Sequence, residues 1–345
     1  MAKFRPLKSI PSIIIALVLS LPIWAQSPAP GSGDELSRGI GLYNRGDYKG
    51  AVEILREAVK KQKDNADAWN YLGRAQMRSG DMKASRISFE KAIKLQPAHA
   101  ASHSGLAYLL LISDDPGNAE KAAEKALSID SQDADAHYVL AKVYSLARRW
   151  DAALQESEAA LKSAPEGAGA FLVKAQSLVG QLGSRGNPSQ INSEQRLKLE
   201  QAQEALGNYL RLLPNAKDAD WWREQLEAMK GHARLLRDRQ EEEKQKPAEV
   251  KTEAKVDATR PAILYKDKAN RTQESRDKGI SGTVRLRAIF AADGSVKDIL
   301  VIEGLEAGLS WKAIEAARRI RFNPATKGGQ PVSVLSYLEF TFSLY

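Results

Sequence analysis

Between Ser281 and Phe290 apolar residues return at every second position, with Val284, Leu286, Ala288 and Phe290 on one side of an extended backbone. That period predicts a half-buried strand. Ala292-Asp293-Gly294 follows, and Asp-Gly between two apolar runs predicts a hairpin because Gly tolerates positive φ. Val296 to Glu303 is the return strand. From Trp311 to Phe322 the spacing turns helical, and Pro324, which lacks an N–H, ends it. The chain closes on a strand from Val332 to Tyr345, with Val334, Leu338, Phe340, Phe342 and Leu344 on one face. The expected product is a small α+β unit of ββαβ order.

Upstream the pattern is helical and repeats on a longer scale. Small residues recur every 34 positions: Gly39, Gly73, Ala107, Ala141 and Ala175 in one series, Ala51, Ser85, Ala119 and Ala153 in a second, Ala58, Ala92, Ala126 and Ala160 in a third. Trp69, Leu72 and Phe89 hold the large positions of the copy spanning 66–99, and Pro97, Pro165 and Pro214 close repeats. Paired helices that cross closely need small side chains at the crossing, and the frame is that of the tetratricopeptide repeat. The predicted fold class is therefore α+β multidomain: an all-α tetratricopeptide helical-repeat solenoid, then the ββαβ unit. About five repeats fill residues 34–239. The fifth, 168–214, is longer than the others, with a Gly/Asn/Pro loop at 180–188 and its second small position at Ala202. A further helix over Ala219–Arg239 is expected to cap the stack with a solvated face. Its adjacent Trp221 and Trp222 cannot share one helix face, so one is expected to pack and the other to be exposed or to meet a partner.

Such a stack leaves a concave groove lined by the first helix of each pair. Asn70, Arg74, Tyr108, Tyr138 and Lys142 are its candidate partner-binding residues. Asn70, Arg74 and Lys142 suit a carboxylate or a peptide backbone, and the two tyrosines supply amphipathic contact area. The expected ligand is a peptide or protein segment.

The termini and the charge balance refine this picture. Lys3, Arg5 and Lys8 precede a short apolar run, Ile10 to Trp24, and Ile23-Trp24-Ala25 resembles a cleavage site. Residues 1–25 are thus expected to be a secretory signal peptide, with the mature protein in the periplasm or outside the cell. Uncleaved, the same segment would anchor it in the inner membrane. Residues 34–239 hold 30 basic and 28 acidic groups, a nearly neutral solvated surface, whereas residues 259–345 hold 14 and 9. The excess does not point to nucleic acid, because Arg318, Arg319 and Arg321 sit at a helix end where the macrodipole favours cations. Residues 240–258 are charged and contain Pro247, and read as a linker. There is no cysteine, which excludes disulfides, thiol catalysis and zinc-thiolate sites. His99 and His103 have metal-friendly spacing, but His137 repeats the repeat position of His103, which favours packing or capping. No nucleophile elbow, phosphate loop or dinucleotide fingerprint occurs, so no catalytic residue, cofactor, metal or small-molecule substrate is expected.

Gly279-Ile280-Ser281-Gly282-Thr283-Val284, Asp293-Gly294-Ser295-Val296, Gly308-Leu309, Ala313-Ile314-Glu315-Ala316, Arg321-Phe322-Asn323-Pro324-Ala325 and Gly328-Gly329-Gln330-Pro331-Val332 run in the order and spacing of one family. Residues 259–345 resemble the TonB C-terminal domain family. The match departs at Arg271-Thr272, where the family carries a Tyr-Pro pair. The resemblance implies a Gram-negative envelope protein that captures an extended segment of an outer-membrane transporter as an added strand. The edge involved would be the last strand, with Val332, Val334, Ser336, Leu338 and Phe340 as candidate partner-binding residues. Signal, repeats and edge strand together lead to the expectation of a periplasmic, non-catalytic adaptor. An energy transducer of the TonB family, held by its N-terminal helix, is the alternative.

Overall fold

The computed structural model describes residues 34–184, 193–245 and 259–344. They belong to two compact units divided between Ser177 and Leu178. The expected signal peptide, most of the insertion loop and residues 246–258 of the expected linker lie outside the described residues.

The first unit holds four helix pairs: α1 (Glu35–Asn44) with α2 (Tyr48–Lys61), α3 (Ala66–Ser79) with α4 (Met82–Leu95), α5 (Ala100–Ile112) with α6 (Pro116–Ile129), and α7 (Ala134–Leu146) with α8 (Trp150–Ser163). A ninth helix, α9 (Ala168–Ser184), opens the fifth repeat. All three series of small residues are buried where paired helices meet. A Cβ on Gly39 would lie 2.5 Å from Leu55, and one on Gly73 would lie 2.9 Å from the Phe89 ring. Asp47, Asp81 and Asp115, again 34 apart, cap α2, α4 and α6 by accepting from the N–H of Gly50, Ala84 and Asn118. The fourth equivalent is Arg149, which makes no side-chain cap bond. Asp81→Ala is expected to cost about 1 kcal/mol in urea unfolding of the repeats, since the N–H it serves has no helical acceptor.

The second unit contains the end of α9, then α10 (Ser193–Leu212), α11 (Ala219–Gln245) and the strand-rich segment. That segment has β1 (Ala262–Tyr265), a short α12 (Gln273–Asp277), β2 (Gly282–Phe290), β3 (Val296–Glu303), α13 (Leu309–Arg318), β4 (Arg321–Asn323), β5 (Ala325–Lys327), β6 (Gln330–Val332) and β7 (Val334–Phe342). The main sheet is antiparallel in the order β3-β2-β7. Its hairpin turns at Gly294, φ +83°, where the Gly294 N–H donates to Ala291 O. Val284, Leu286, Ala288, Phe290, Leu338, Phe340 and Phe342 pack on Leu309, Ala313, Ile314 and Ala317 of α13. The other face of the sheet is also covered. Arg285 donates to Gly183 O, Arg287 to Gln195 Oε1 at 3.0 Å, and the Tyr337 hydroxyl to Leu182 O.

Three expectations change. The helix starting near Trp311 ends at Arg318, and Arg321–Asn323 is a strand paired with β1. Asn323 precedes Pro324, whose ring disfavours the α region for its predecessor, so the turn comes earlier than the proline itself. The last strand is divided at Ser333 into β6 and β7, and Leu344 lies beyond it, half exposed. Finally, α11 is not a solvated cap. It lies against β3, with Gln225 and His232 buried, and belongs to the same compact unit as the sheet. Trp221 packs on the core under α13, 6.0 Å from Trp311, while Trp222 donates to Asp218.

Candidate functional site

In the repeat unit, a small pocket of about 10 Å³ is lined by Arg74, Met77, Ser104, Gly105, Tyr108, Asp135 and Tyr138. It gathers Arg74, Tyr108 and Tyr138 of the predicted groove residues; Asn70 and Lys142 are not among its lining. Asn70 is 3% exposed, and its Oδ1 has no hydrogen-bond partner. The Tyr108 and Tyr138 rings lie 6.3 Å apart, and burial pushes the Tyr108 hydroxyl up to about 12. Arg74 donates to Asp135 Oδ2 at 2.8 Å, from α3 to α7. Burial works against the Arg74 charge, but Asp135 and the neighbouring Tyr43 more than offset it and hold the guanidinium above its ordinary value. Asp135 is the residue that sequence reasoning missed. The available signal was Asp67, at the same position two repeats earlier, which meets His99 at 3.0 Å. With Arg74 paired to Asp135, the accessible lining of the pocket is almost wholly apolar.

The histidines are engaged by protein groups. His99 also meets Ser102, His103 meets Pro97 O, and His137 meets Glu156. No cluster of three or more His, Asp or Glu able to hold a metal ion occurs among the described residues.

In the second unit the sheet has two edges of different character. Along β3, Gln225 Oε1 of α11 accepts from the Val301 N–H at 2.8 Å, and His232 Nε2 donates to Asp298 O at 2.7 Å. Gln225 and His232 are seven residues apart, two helical turns, and so reach the strand from one helix face. Beside them a Cβ on Gly231 would meet the Asp298 carboxylate at 2.2 Å, which shows how closely α11 approaches. Along β7, no strand pairs on the side away from β2 among the described residues. Of the predicted edge residues, Val334, Leu338 and Phe340 point their side chains into the core. Ser336 lies opposite Ala288 on that same face, and Val332 belongs to β6, opposite Ala325. What β7 offers is therefore main chain. Its outward carbonyls belong to the odd-numbered residues: Lys266 Nζ donates to Glu339 O, Arg271 to Ser343 O, and Arg239 of α11 to Ser333 just before the strand. N–H and C=O of one residue share a side and alternate along a strand, so Leu335, Tyr337 and Thr341 face outward too. Arg271, where the family carries its aromatic, also grips Ser275 O and Ile280 O.

No helix among the described residues is long and apolar enough to cross a membrane. Residues 53–171 match the family model described as the cytochrome c-type biogenesis protein H TPR domain, and residues 272–344 the one described as the Gram-negative bacterial TonB protein C-terminal. No curated protein sequence matches. Similar solved structures include the MamA protein, 20% identical, covering 54% of this chain and 93% of that one, TM-score 0.36. A thermophilic TPR protein of Thermus thermophilus is 17% identical over 56% of this chain and 96% of its own, TM-score 0.43. YrrB, described as a TPR protein with an unusual peptide-binding site, is 17% identical over 54% and 88%, TM-score 0.36. The chain thus carries a tetratricopeptide-repeat segment at 53–171 and a TonB C-terminal-type domain at 272–344.

Proposed function

We propose that the protein is a periplasmic, non-catalytic adaptor. Its repeat groove binds a peptide or protein segment, and its TonB-type domain docks an outer-membrane transporter by accepting an extended segment on β7. The observation that carries the reading is the contrast between the two sheet edges. Along β3 the α11 helix lies against the strand and takes up the Val301 N–H and Asp298 O, whereas β7 meets only the side chains of Lys266 and Arg271 at Glu339 O and Ser343 O and has no strand beside it among the described residues. An unpaired edge is a template for an incoming strand. The pairing of two interaction modules supports an adaptor, and no catalytic family is among the matches.

The edge is tested by a photo-crosslinking residue at Thr341 in the native envelope, compared with one at exposed Lys83 of α4. Adducts with an outer-membrane transporter from position 341 alone are expected. In the same assay Thr341→Pro, which removes an outward N–H and the hydroxyl contact to Thr283 while sparing the main-chain bonds to β2, is expected to reduce capture at least tenfold, and Thr341→Val, which loses the hydroxyl alone, to leave it unchanged. Equal adducts from both positions, or none from 341, would remove strand addition from the account.

A further inference from the structure

The outward edge of β7 is open to a strand, yet its carbonyls are not all bare. Lys266 occupies Glu339 O at 2.8 Å and also lies 4.5 Å from the centre of the Phe340 ring. Arg271 occupies Ser343 O, four residues further along, at 2.8 Å. Among the described residues neither cation is in an ion pair: both are bonded to main-chain oxygens and Lys266 also lies on an aromatic face, with Glu339 near enough to favour its charge. The acids nearby are already engaged. Asp267 pairs with Arg319 at 2.7 Å, and Glu339 with Arg285 at 3.0 Å. Residues 259–345 as a whole carry 14 basic and 9 acidic groups. The open edge thus holds two cations on carbonyl groups that a partner strand would need for itself.

We propose that Lys266 and Arg271 are provisional donors which an incoming strand replaces, and that the strand is acidic, with carboxylates four residues apart. This rests on the reading of β7 as a strand-accepting edge and names the chemistry of its partner. When the partner's N–H groups bond to Glu339 O and Ser343 O, the ammonium of Lys266 and one arm of Arg271 lose their acceptors. Arg271 keeps Ser275 O and Ile280 O and turns in place, while Lys266 is released altogether. A neutral strand leaves Lys266 and the freed arm of Arg271 without an acceptor from protein. An acidic one supplies stronger, charge-assisted bonds in place of those lost. The two carbonyl groups are about 13 Å apart along the strand, the rise of four residues, and side chains four apart on the partner point to one face. The cations therefore hinder neutral strands and reward acidic ones, which gives selection as well as affinity.

The test uses the full chain and two ten-residue peptides of alternating Thr and Val. One carries Asp in place of Thr at its third and seventh positions, the other Asn. Affinity is read by fluorescence anisotropy, and strand addition by protection of the Tyr337 and Thr341 amides from hydrogen exchange. At low salt the Asp peptide is expected to bind about tenfold more tightly, with the advantage fading towards 1 M salt as the charges are screened. Lys266→Met, which keeps the stem and loses the donor, is expected to reduce the advantage to about threefold without weakening the Asn peptide. Equal binding of the two peptides with both amides protected would overturn the proposal and leave strand addition standing. An Asp advantage unchanged in the Lys266 variant would overturn it as well. Binding without amide protection, or no binding by either peptide, would overturn the proposal together with the edge reading.

Discussion

Phe89→Ala is expected to lower the unfolding free energy of the repeats by about 3–5 kcal/mol, the usual loss for a fully enclosed aromatic side chain. Phe89 is 0% exposed and lies between the first helices of two successive repeats. A Cβ on Gly73 of α3 would come within 2.9 Å of its ring, and one on Gly105 of α5 within 2.5 Å. The ring thus fills the space that two glycines open, and neither helix can close on the hole when it is removed. A double-mutant cycle checks this assignment. In the parent, Gly105→Ala is expected to destabilise by about 1–3 kcal/mol through overpacking. In the Phe89→Ala background the clash is gone. The same change should then stabilise by about 1 kcal/mol, the difference in helix propensity. Urea unfolding of the four proteins gives the result, and a Gly105→Ala cost that is equal in both backgrounds would show that the ring is not the obstacle.

The interdigitation at Phe89 was legible in the sequence because repetition supplies its own control. A small residue that returns every 34 positions has to be small for a packing reason, and the three series all fall at helix contacts. The period of β2 and β7 likewise identified the face that meets α13. The second face of the sheet was not legible. Arg285 and Arg287 alternate with apolar residues, which ordinarily indicates water. Yet Arg287 is 0% exposed and bonded to Gln195, 92 positions earlier. A contact so distant in sequence leaves no periodic trace. One local signal did exist: Gly183 and Gly231 interrupt helical patterns, and isolated glycines there mark close approach. A Cβ on Gly183 would come within 2.3 Å of Ile302, and Gly231 faces Asp298. At the groove, residue type was legible and pairing was not. Arg74 was recognisable as a groove cation, but its neutralisation by Asp135 depends on two repeats facing each other.

Acidification from pH 7.5 to 5 is expected to cost the second unit about 2 kcal/mol, because His232 is buried as the neutral imidazole. Burial pulls its pKa down to about 3, Arg287 adds to the effect, and the bond to Asp298 O opposes it. Since Nε2 donates to that carbonyl, Nδ1 is the bare nitrogen, and it has no partner. The proton would have to enter beside Arg287 of β2, whose own charge is disfavoured by burial. Burial raises the pKa of the Asp298 carboxyl on β3, while Arg234 and Lys297 act the other way and Glu227 adds to the rise. The unfolded chain binds a proton near 6.5 and the folded one only near 3. Stability is therefore complete above 6.5 and falls by about 1.4 kcal/mol per pH unit on the way down. His137 runs in the opposite sense, since its bond to Glu156 raises its pKa and adds stability as pH falls. Comparison with His232→Gln isolates the contribution of His232: the amide can donate to Asp298 O but takes up no proton. Denaturant unfolding at pH 7.5, 6.5, 5.8 and 5 should slope in the parent and flatten in the variant by about 2 kcal/mol across the range. The Val301 amide, which donates to Gln225 on the same helix face, should lose exchange protection in the parent alone. Parallel slopes in the two proteins would mean that the proton goes elsewhere, and that α11 holds β3 independently of pH.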